Sequence, residues 1–189
     1  MKTELWLVRH GTTEWNLQKR YQGQTDIPLN DAGLTQAEEL GGLLSATAFD
    51  AIYTSDLQRA RQTAGTLAHR LNVPVYPDAR LREAHFGDWE GENYFEMKEK
   101  YPEIWKERMQ NPSALVAPGG ESLPGVARRM QSAADDMVAR FPDGRLLVVA
   151  HGLSLAVLVC TFQGKPLNES YSIIMDNAHP QVIEWQIPA

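Results

Sequence analysis

An apolar run near the N-terminus ends in a cation, an imidazole and a glycine: Leu5-Trp6-Leu7-Val8-Arg9-His10-Gly11-Thr12-Thr13-Glu14. Its apolar part predicts a buried strand over residues 4–9. In open α/β sheets, ligands bind outside the carboxyl ends of the strands. We therefore expect Arg9 and His10 at a sheet edge, where the strand delivers its last side chains into a crevice.

Strand-like and helix-like segments alternate along the rest of the chain. Short apolar runs predict the strands, and apolar residues at helical spacing predict the helices. The strands are expected at residues 50–54, 73–76, 145–150, 171–175 and 181–186, and the helices at residues 34–46, 56–71, 122–141 and 153–162. Ser55 or Asp56 is expected to cap the second helix. Such alternation favours an α/β fold with an open, mostly parallel sheet and helices on both faces.

Residues 86–121 differ from their surroundings because they contain no strand-like run and are rich in acidic and aromatic residues. A Pro-Gly-Gly break at residues 118–120 closes the segment. We interpret it as a helical insertion that packs over the sheet. The expected organisation is a single domain over residues 1–189, with a helical cap insertion at about 86–121.

The amino-acid composition limits the kinds of binding partner and cellular location that we expect for the chain. A chain of 189 residues with 43% hydrophobic content fits one globular domain, and its net charge of −6 gives no support for nucleic-acid or anionic membrane binding. No apolar run approaches the roughly 20 residues of a membrane span, and the early first strand leaves no room for a signal peptide. The single cysteine, Cys160, suits a reducing compartment. We expect a cytoplasmic protein.

Two further strand ends carry reactive or cationic side chains. His151 and Gly152 follow the apolar run at 145–150, and Arg59 lies in the first helical turn after the strand at 50–54. A neutral imidazole can attack phosphorus and form a phosphohistidine. Arginines stabilise the charge that develops on phosphoryl oxygens. The pattern predicts a phosphate site in which His10 is the nucleophile and Arg9 binds the phosphate oxygens.

The leaving oxygen needs a proton, and Glu83 is the candidate general acid and base. Two other interpretations stay open. Two imidazoles and a carboxylate (His10, His151 and Glu83) also form a known zinc ligand set, although adjacent arginines disfavour a dication. The chain could also be a non-catalytic protein that binds a phosphorylated ligand.

Four segments together resemble the histidine phosphatase superfamily, the phosphoglycerate mutase-like clan. They are Arg9-His10-Gly11 with Trp15-Asn16, the run from Ser55 to Ala64, the run from Glu83 to Gly91, and His151-Gly152. The resemblance implies a three-layer α/β/α sandwich, a phosphohistidine on His10, Glu83 as proton donor and acceptor, and neither metal nor other cofactor. It also implies a phosphate pocket built from Arg9, Arg59 and His151, with further contacts from Asn16, Gln22, Gly23 and Gly152.

The cap segment indicates the branch of the family. Cofactor-dependent mutases carry a tyrosine and a lysine where this chain has Phe86 and Tyr94, and residues 86–121 contain no arginine pair. The chain therefore resembles the shorter phosphatase branch. We expect a small-molecule phosphomonoester substrate that Phe86 and Tyr94 contact, with phosphoglycerate mutase activity as the alternative. The predicted C-terminal strands leave an edge that could pair two copies of the chain in a homodimer.

Overall fold

The computed structural model describes residues 2–110 and 116–186 of the chain. The strands are β1 (Thr3–Arg9), β2 (Ala51–Thr54), β3 (Val75–Pro77), β4 (Arg145–Ala150) and β5 (Pro180–Trp185). The helices are α1 (Glu14–Leu17), α2 (Asp31–Leu44), α3 (Gln58–Leu71), α4 (Tyr94–Lys100), α5 (Pro102–Gln110), α6 (Leu123–Arg140) and α7 (Gly152–Gln163). Short 3₁₀ helices span Ala79–Leu81, Gly87–Trp89 and Leu167–Ser172.

The strands of the described residues form one open, mixed sheet in the order β3-β2-β4-β1-β5. β1, β2, β3 and β4 run parallel to one another, and β5 pairs antiparallel with β1. Arg9 at the end of β1 lies opposite Ala150 of β4, and Thr54 of β2 lies opposite Val149. The carboxyl ends of three adjacent strands therefore meet at one edge, which confirms the mostly parallel sheet.

Helices cover both faces of this sheet. Leu146 and Val148 of β4 belong to a core shared with α6 and α7, while Leu147 and Val149 belong to a second core shared with α2 and α3. Successive strand side chains point to opposite faces, so a strand buried on both sides is apolar throughout. The result is the expected three-layer α/β/α sandwich.

The predicted strand at residues 171–175 is wrong. The 3₁₀ helix Leu167–Ser172 occupies its first part, and the hydroxyls of Ser170 and Ser172 each donate to the carbonyl three residues earlier, both at 2.7 Å. Such side-chain bonds to nearby carbonyls favour turns over strands. On the outer edge of β1, β5 forms the strand pairing, and an isolated bridge joins Asn177 to Arg9.

The predicted cap of α3 is also wrong. The N-cap residue is Leu57, which makes no side-chain capping bond, and Asp26 from a distant loop accepts the Gln58 N–H at 2.6 Å instead. Asp56 binds Arg82 through two bonds of 2.7 and 2.6 Å. The Asp26 carboxylate, far away in sequence, therefore satisfies a backbone N–H group at the start of α3.

The segment at 86–121 contains α4 and α5, as its composition predicted, and residues 111–115 lie outside the described residues. A small core separate from the sheet holds it together, formed by Tyr21, Trp89, Met97 and Ala117. Tyr21 comes from the loop after α1, so this core ties the segment to the residues that follow His10. None of the described helices is both long and apolar enough to cross a membrane.

Candidate active site

A cavity of about 220 Å³ opens at the carboxyl edge of the sheet. Its lining contains the predicted site residues Arg9, His10, Asn16, Gln22, Gly23, Arg59, Glu83, Phe86, Tyr94 and Gly152. His151 does not line it but packs against His10, with the two ring centroids 5.1 Å apart. The structure thus brings all the predicted site residues together.

His10 lies directly after β1 and is 3% exposed. Its Nδ1 is 2.7 Å from the Gly11 carbonyl oxygen, which can only accept a hydrogen bond. Nδ1 therefore carries the ring proton, and Nε2 keeps its lone pair. Burial, followed by the charges of Arg59 and Arg9, lowers the pKa of His10 well below the ordinary histidine value. The imidazole is consequently neutral and nucleophilic at neutral pH.

His151 occupies the N-cap position of α7, without a side-chain capping bond, and is fully buried. Its Nδ1 accepts a hydrogen bond from Arg59 Nε at 3.2 Å, so the proton of the neutral ring lies on Nε2. Burial, and after it the Arg59 charge, lowers the pKa of His151 well below the ordinary value. His151 therefore presents a neutral N–H donor beside His10.

Arg59 is fully buried in the first turn of α3. Besides its bond to His151, it donates to the carbonyl of Thr25 at 2.8 Å and to that of Gly23 at 2.6 Å. Burial lowers the pKa of Arg59 to about 10, so the guanidinium stays charged at neutral pH. One cation thus orients an imidazole and holds the loop at residues 23–25, of which Gly23 lines the cavity.

Three buried polar side-chain atoms have no hydrogen-bond partner among the described residues: Arg9 Nε, Gln22 Oε1 and His151 Nε2. Arg9 donates through Nη1 to the Met175 carbonyl at 2.9 Å. Buried polar groups in folded proteins normally find partners. All three atoms belong to residues at this cavity or in contact with His10, which indicates a binding site for a polar ligand.

Glu83 is held by the start of α7. Its Oε1 accepts the N–H groups of Ala84 and Ser154, both at 2.8 Å, and its Oε2 accepts that of Leu153 at 3.0 Å. Backbone N–H groups at a helix N-terminus bind anionic groups in this way. The carboxylate is therefore fixed at the cavity wall, close to the phosphate donors.

Glu90 holds the loop at residues 23–25, a role that the sequence did not predict. Its carboxylate accepts the N–H groups of Gln24 at 2.9 Å, Thr25 at 2.8 Å and Phe86 at 3.0 Å. Gly23 has a φ of +50°, and a Cβ there would overlap the Glu90 carboxylate. The signal was the position of Glu90 within the conspicuous run at 83–91.

The outer part of the cavity includes residues that the sequence analysis did not select: Arg20, Tyr21, Leu153, Tyr171 and Ile174. Tyr171 and Ile174 belong to the segment that was predicted to be a strand. No local pattern marked them, because Tyr171 reaches the cavity from within the 3₁₀ helix Leu167–Ser172 and Ile174 from the residues just after it.

The donors at this site do not suit a metal dication. Across residues 2–110 and 116–186, no group of three or more His, Cys, Asp or Glu side chains is placed to hold a metal ion. His151 Nδ1 is already engaged by Arg59, and both guanidinium groups lie beside the imidazoles. The arrangement suits an anion.

Comparisons with known proteins agree with this geometry. The profile of the histidine phosphatase superfamily (branch 1) matches residues 5–187. Phosphoserine phosphatase 1 of Hydrogenobacter thermophilus is 34% identical over 97% of this chain and 87% of its own length. Probable phosphoglycerate mutase GpmB of Cronobacter sakazakii is 34% identical over 97% of this chain and 85% of its own length. The structure of Bacillus stearothermophilus YhfR superposes with a TM-score of 0.90 at 36% identity, covering 97% of this chain and 92% of that one. This chain belongs to the histidine phosphatase superfamily.

Proposed function

We propose that the chain is a phosphatase that hydrolyses small phosphomonoesters through a covalent phosphohistidine on His10. One observation carries the proposal. His10 Nε2 has a free lone pair, and on the neighbouring residues Arg9 and His151 two buried N–H donors, Arg9 Nε and His151 Nε2, have no partner among the described residues. A nucleophile next to unsatisfied donors is the arrangement that phosphoryl transfer needs.

In the first step, His10 Nε2 forms a bond to phosphorus as the ester P–O bond breaks. Arg9, Arg59 and His151 stabilise the charge that develops on the phosphoryl oxygens. Glu83 in its carboxylic acid form gives its proton to the leaving oxygen, so the product is a neutral alcohol.

In the second step, the Glu83 carboxylate takes a proton from a water molecule, whose oxygen attacks phosphorus. The N–P bond breaks, inorganic phosphate leaves, and His10 returns to its neutral form. Arg9 and Arg59 supply the positive charge, so we propose a reaction that uses neither a metal nor another cofactor.

The remainder of the substrate is proposed to contact Phe86 and Tyr94. These side chains share the outer cavity with Tyr21, Leu153 and Ile174, so its walls are mainly aromatic and aliphatic. Asn16, Gln22, Gly23 and Gly152 surround the phosphate end. A small phosphorylated metabolite with an apolar or modestly polar remainder fits this division, and one relative is named a phosphoserine phosphatase.

Phosphoglycerate mutase activity is the second candidate, because a relative of equal identity carries that name. A mutase must hold a phosphorylated, carboxylated intermediate while it reorients. Among the described residues that line the outer cavity, Arg20 is the one cation. Such a wall is better suited to releasing the product than to retaining it, which favours the phosphatase.

The remaining proposals concern the cellular setting. The free, buried thiol of Cys160 is compatible with a reducing compartment, and we propose a cytoplasmic location with neither nucleic-acid nor membrane partners. β5 forms an edge of the sheet, and a homodimer that pairs through it is proposed on that basis.

The test is to quench the enzyme during turnover of a radiolabelled phosphomonoester. We expect acid-labile, alkali-stable phosphate on His10, and none in His10→Ala. Phosphate release should exceed interconversion of 2- and 3-phosphoglycerate measured side by side. Label on a hydroxyl residue would refute the mechanism, and faster interconversion would favour the mutase. If the protein bound phosphate but did not turn over any phosphomonoester, it would be a non-catalytic protein that binds a phosphorylated ligand.

A further inference from the structure

The guanidinium of Arg129 on α6 binds the backbone of the segment that precedes the general acid. Its Nη1 donates to the carbonyls of Arg80 at 2.7 Å and Arg82 at 2.6 Å, and its Nη2 donates to that of Glu83 at 3.0 Å. Residues 80–83 follow β3 and belong to no strand. Arg129 therefore satisfies carbonyls that have no sheet partner.

Glu121 completes this arrangement from the other side. Its two carboxylate oxygens accept Arg129 Nε and Nη2, both at 2.8 Å, and its own N–H donates to the His85 carbonyl at 2.8 Å. The backbone is consequently held on both sides of Glu83, by Arg129 before it and by Glu121 after it. Both side chains are largely buried, with exposed fractions of 17% and 23%.

Neither residue lines the cavity, and neither hydrogen-bonds Arg9, His10 or Arg59. The carboxylate of Glu83 is fixed by N–H groups of α7, while its carbonyl accepts Arg129 Nη2 at 3.0 Å and Gln24 Nε2 at 3.1 Å. A shift of the main chain at Glu83 moves the carboxylate relative to a substrate held by the arginines and His10. Proton transfer needs a separation of roughly 2.6–3.2 Å between heavy atoms.

We propose that Arg129 is a positioning residue for Glu83, acting on proton transfer far more than on phosphate binding or attack by His10. The inference rests on the proposed function and adds a residue to it. A guanidinium is suited to the task because its planar fork presents several donors in a fixed geometry, whereas a lysine offers a point charge on a flexible stem.

Leaving-group chemistry separates this role from a general structural one. p-Nitrophenolate departs without a proton, whereas the alkoxide of an alkyl phosphate needs the proton of Glu83. The ratio kcat/KM reports the steps up to the first irreversible one, formation of the phosphoenzyme. Hydrolysis of that phosphoenzyme still needs Glu83 as the base for either substrate.

The experiment compares Arg129→Gln with Arg128→Gln, which alters an exposed arginine on the same helix. For Arg129→Gln we expect kcat/KM on an alkyl phosphate to fall about 10²-fold, and kcat/KM on p-nitrophenyl phosphate to stay within about threefold of the parent enzyme. Phosphohistidine should accumulate during turnover of p-nitrophenyl phosphate, seen as a burst of p-nitrophenol. Arg128→Gln should match the parent enzyme on both substrates.

Arg129→Lys keeps the charge but not the fork, and Glu121→Gln keeps the arginine but weakens its anchor. Each of these two variants should show the same dependence on the leaving group, but with a smaller loss. They therefore test the proposal even if Arg129→Gln does not fold. An equal loss on both substrates, or no loss on either, would overturn the positioning role. If the parent enzyme itself formed no phosphohistidine on His10, the proposed function would fail instead.

Discussion

Arg59 and Arg61 lie two residues apart on α3, yet they have different surroundings. Arg59 is fully buried against His151 and the cavity loop, whereas Arg61 is exposed. Arg59→Ala should lower kcat about 10²–10³-fold, the usual cost of removing a donor that stabilises developing charge. It should also weaken binding of inorganic phosphate.

Arg61→Ala is the matched control for this prediction, since it removes the same side chain from an exposed position of the same helix. Steady-state kinetics and phosphate titration of both variants decide the matter. If the two variants lost activity and phosphate affinity equally, Arg59 would not be the phosphate-binding arginine of α3.

At the scale of single residues, local sequence could locate the groups at strand ends but not the groups that hold them. Arg9, His10 and His151 each follow an apolar run, so the run itself marks their place. Arg129 binds backbone carbonyls of a segment more than forty residues earlier, as its bond to Glu83 shows with a separation of 46 positions. Nothing in a sequence marks a carbonyl that lacks a partner.

At the scale of elements, β1 and α2 approach so closely after His10 that no side chain fits between them. A Cβ on Gly11 would overlap the Gly33 carbonyl and lie 2.9 Å from the Gly33 Cα. Gly11→Ala should therefore destabilise the protein by about 1–3 kcal/mol, as overpacking usually does. It should also lower turnover, because Gly11 accepts the His10 Nδ1–H.

The control is Gly65→Ala on α3, where an added Cβ meets nothing within 4 Å. Since alanine is a better helix former, this variant should be more stable by about 0.5–1 kcal/mol. Urea denaturation of both variants measures the two free energies of unfolding. A stabilised Gly11→Ala would refute the close packing of the two elements.

The elements that the sequence predicted well are those whose patterns reflect their own burial. β4 is apolar throughout because both its faces are covered, and its predicted range matches the structure. The segment at 171–175 misled because its apolar side chains pack on the core from a 3₁₀ helix and a loop. A short apolar run reports burial more reliably than it reports backbone conformation.

At the scale of the whole molecule, the order of the strands explains why one site gathers residues from distant parts of the chain. β4 lies between β1 and β2, so the segments after these three strands adjoin one another. His10, His151 and Arg59 come from them. This strand order follows from the crossovers between parallel strands and not from any single motif. The site could therefore be predicted only by assuming that the strands form one parallel sheet.

The two buried imidazoles also make the stability of the molecule depend on pH. The pKa values of His10 and His151 are lowered in the folded protein, chiefly by burial, whereas in the unfolded chain both groups take up protons near pH 6.5. Their contribution is therefore intact above pH 6.5 and is lost as the pH falls below it. Each should cost about 1 kcal/mol of unfolding free energy between pH 6.5 and 5.5, or about 2 kcal/mol together.

Urea denaturation at pH 7.5, 6.5 and 5.5 measures this loss. Replacing both histidines, in His10→Asn/His151→Asn, should remove most of the fall between pH 6.5 and 5.5, whatever the variant's stability at pH 7.5. His69→Gln, which changes an exposed histidine at the end of α3, should keep the fall of the parent protein. The same fall in the double variant would contradict the prediction, because the protons would then bind elsewhere. If the fall disappears in the double variant, His10 and His151 are the groups that take up protons on unfolding. Keeping these two imidazoles neutral, as a nucleophilic His10 requires, would then lower the stability of the protein in acid.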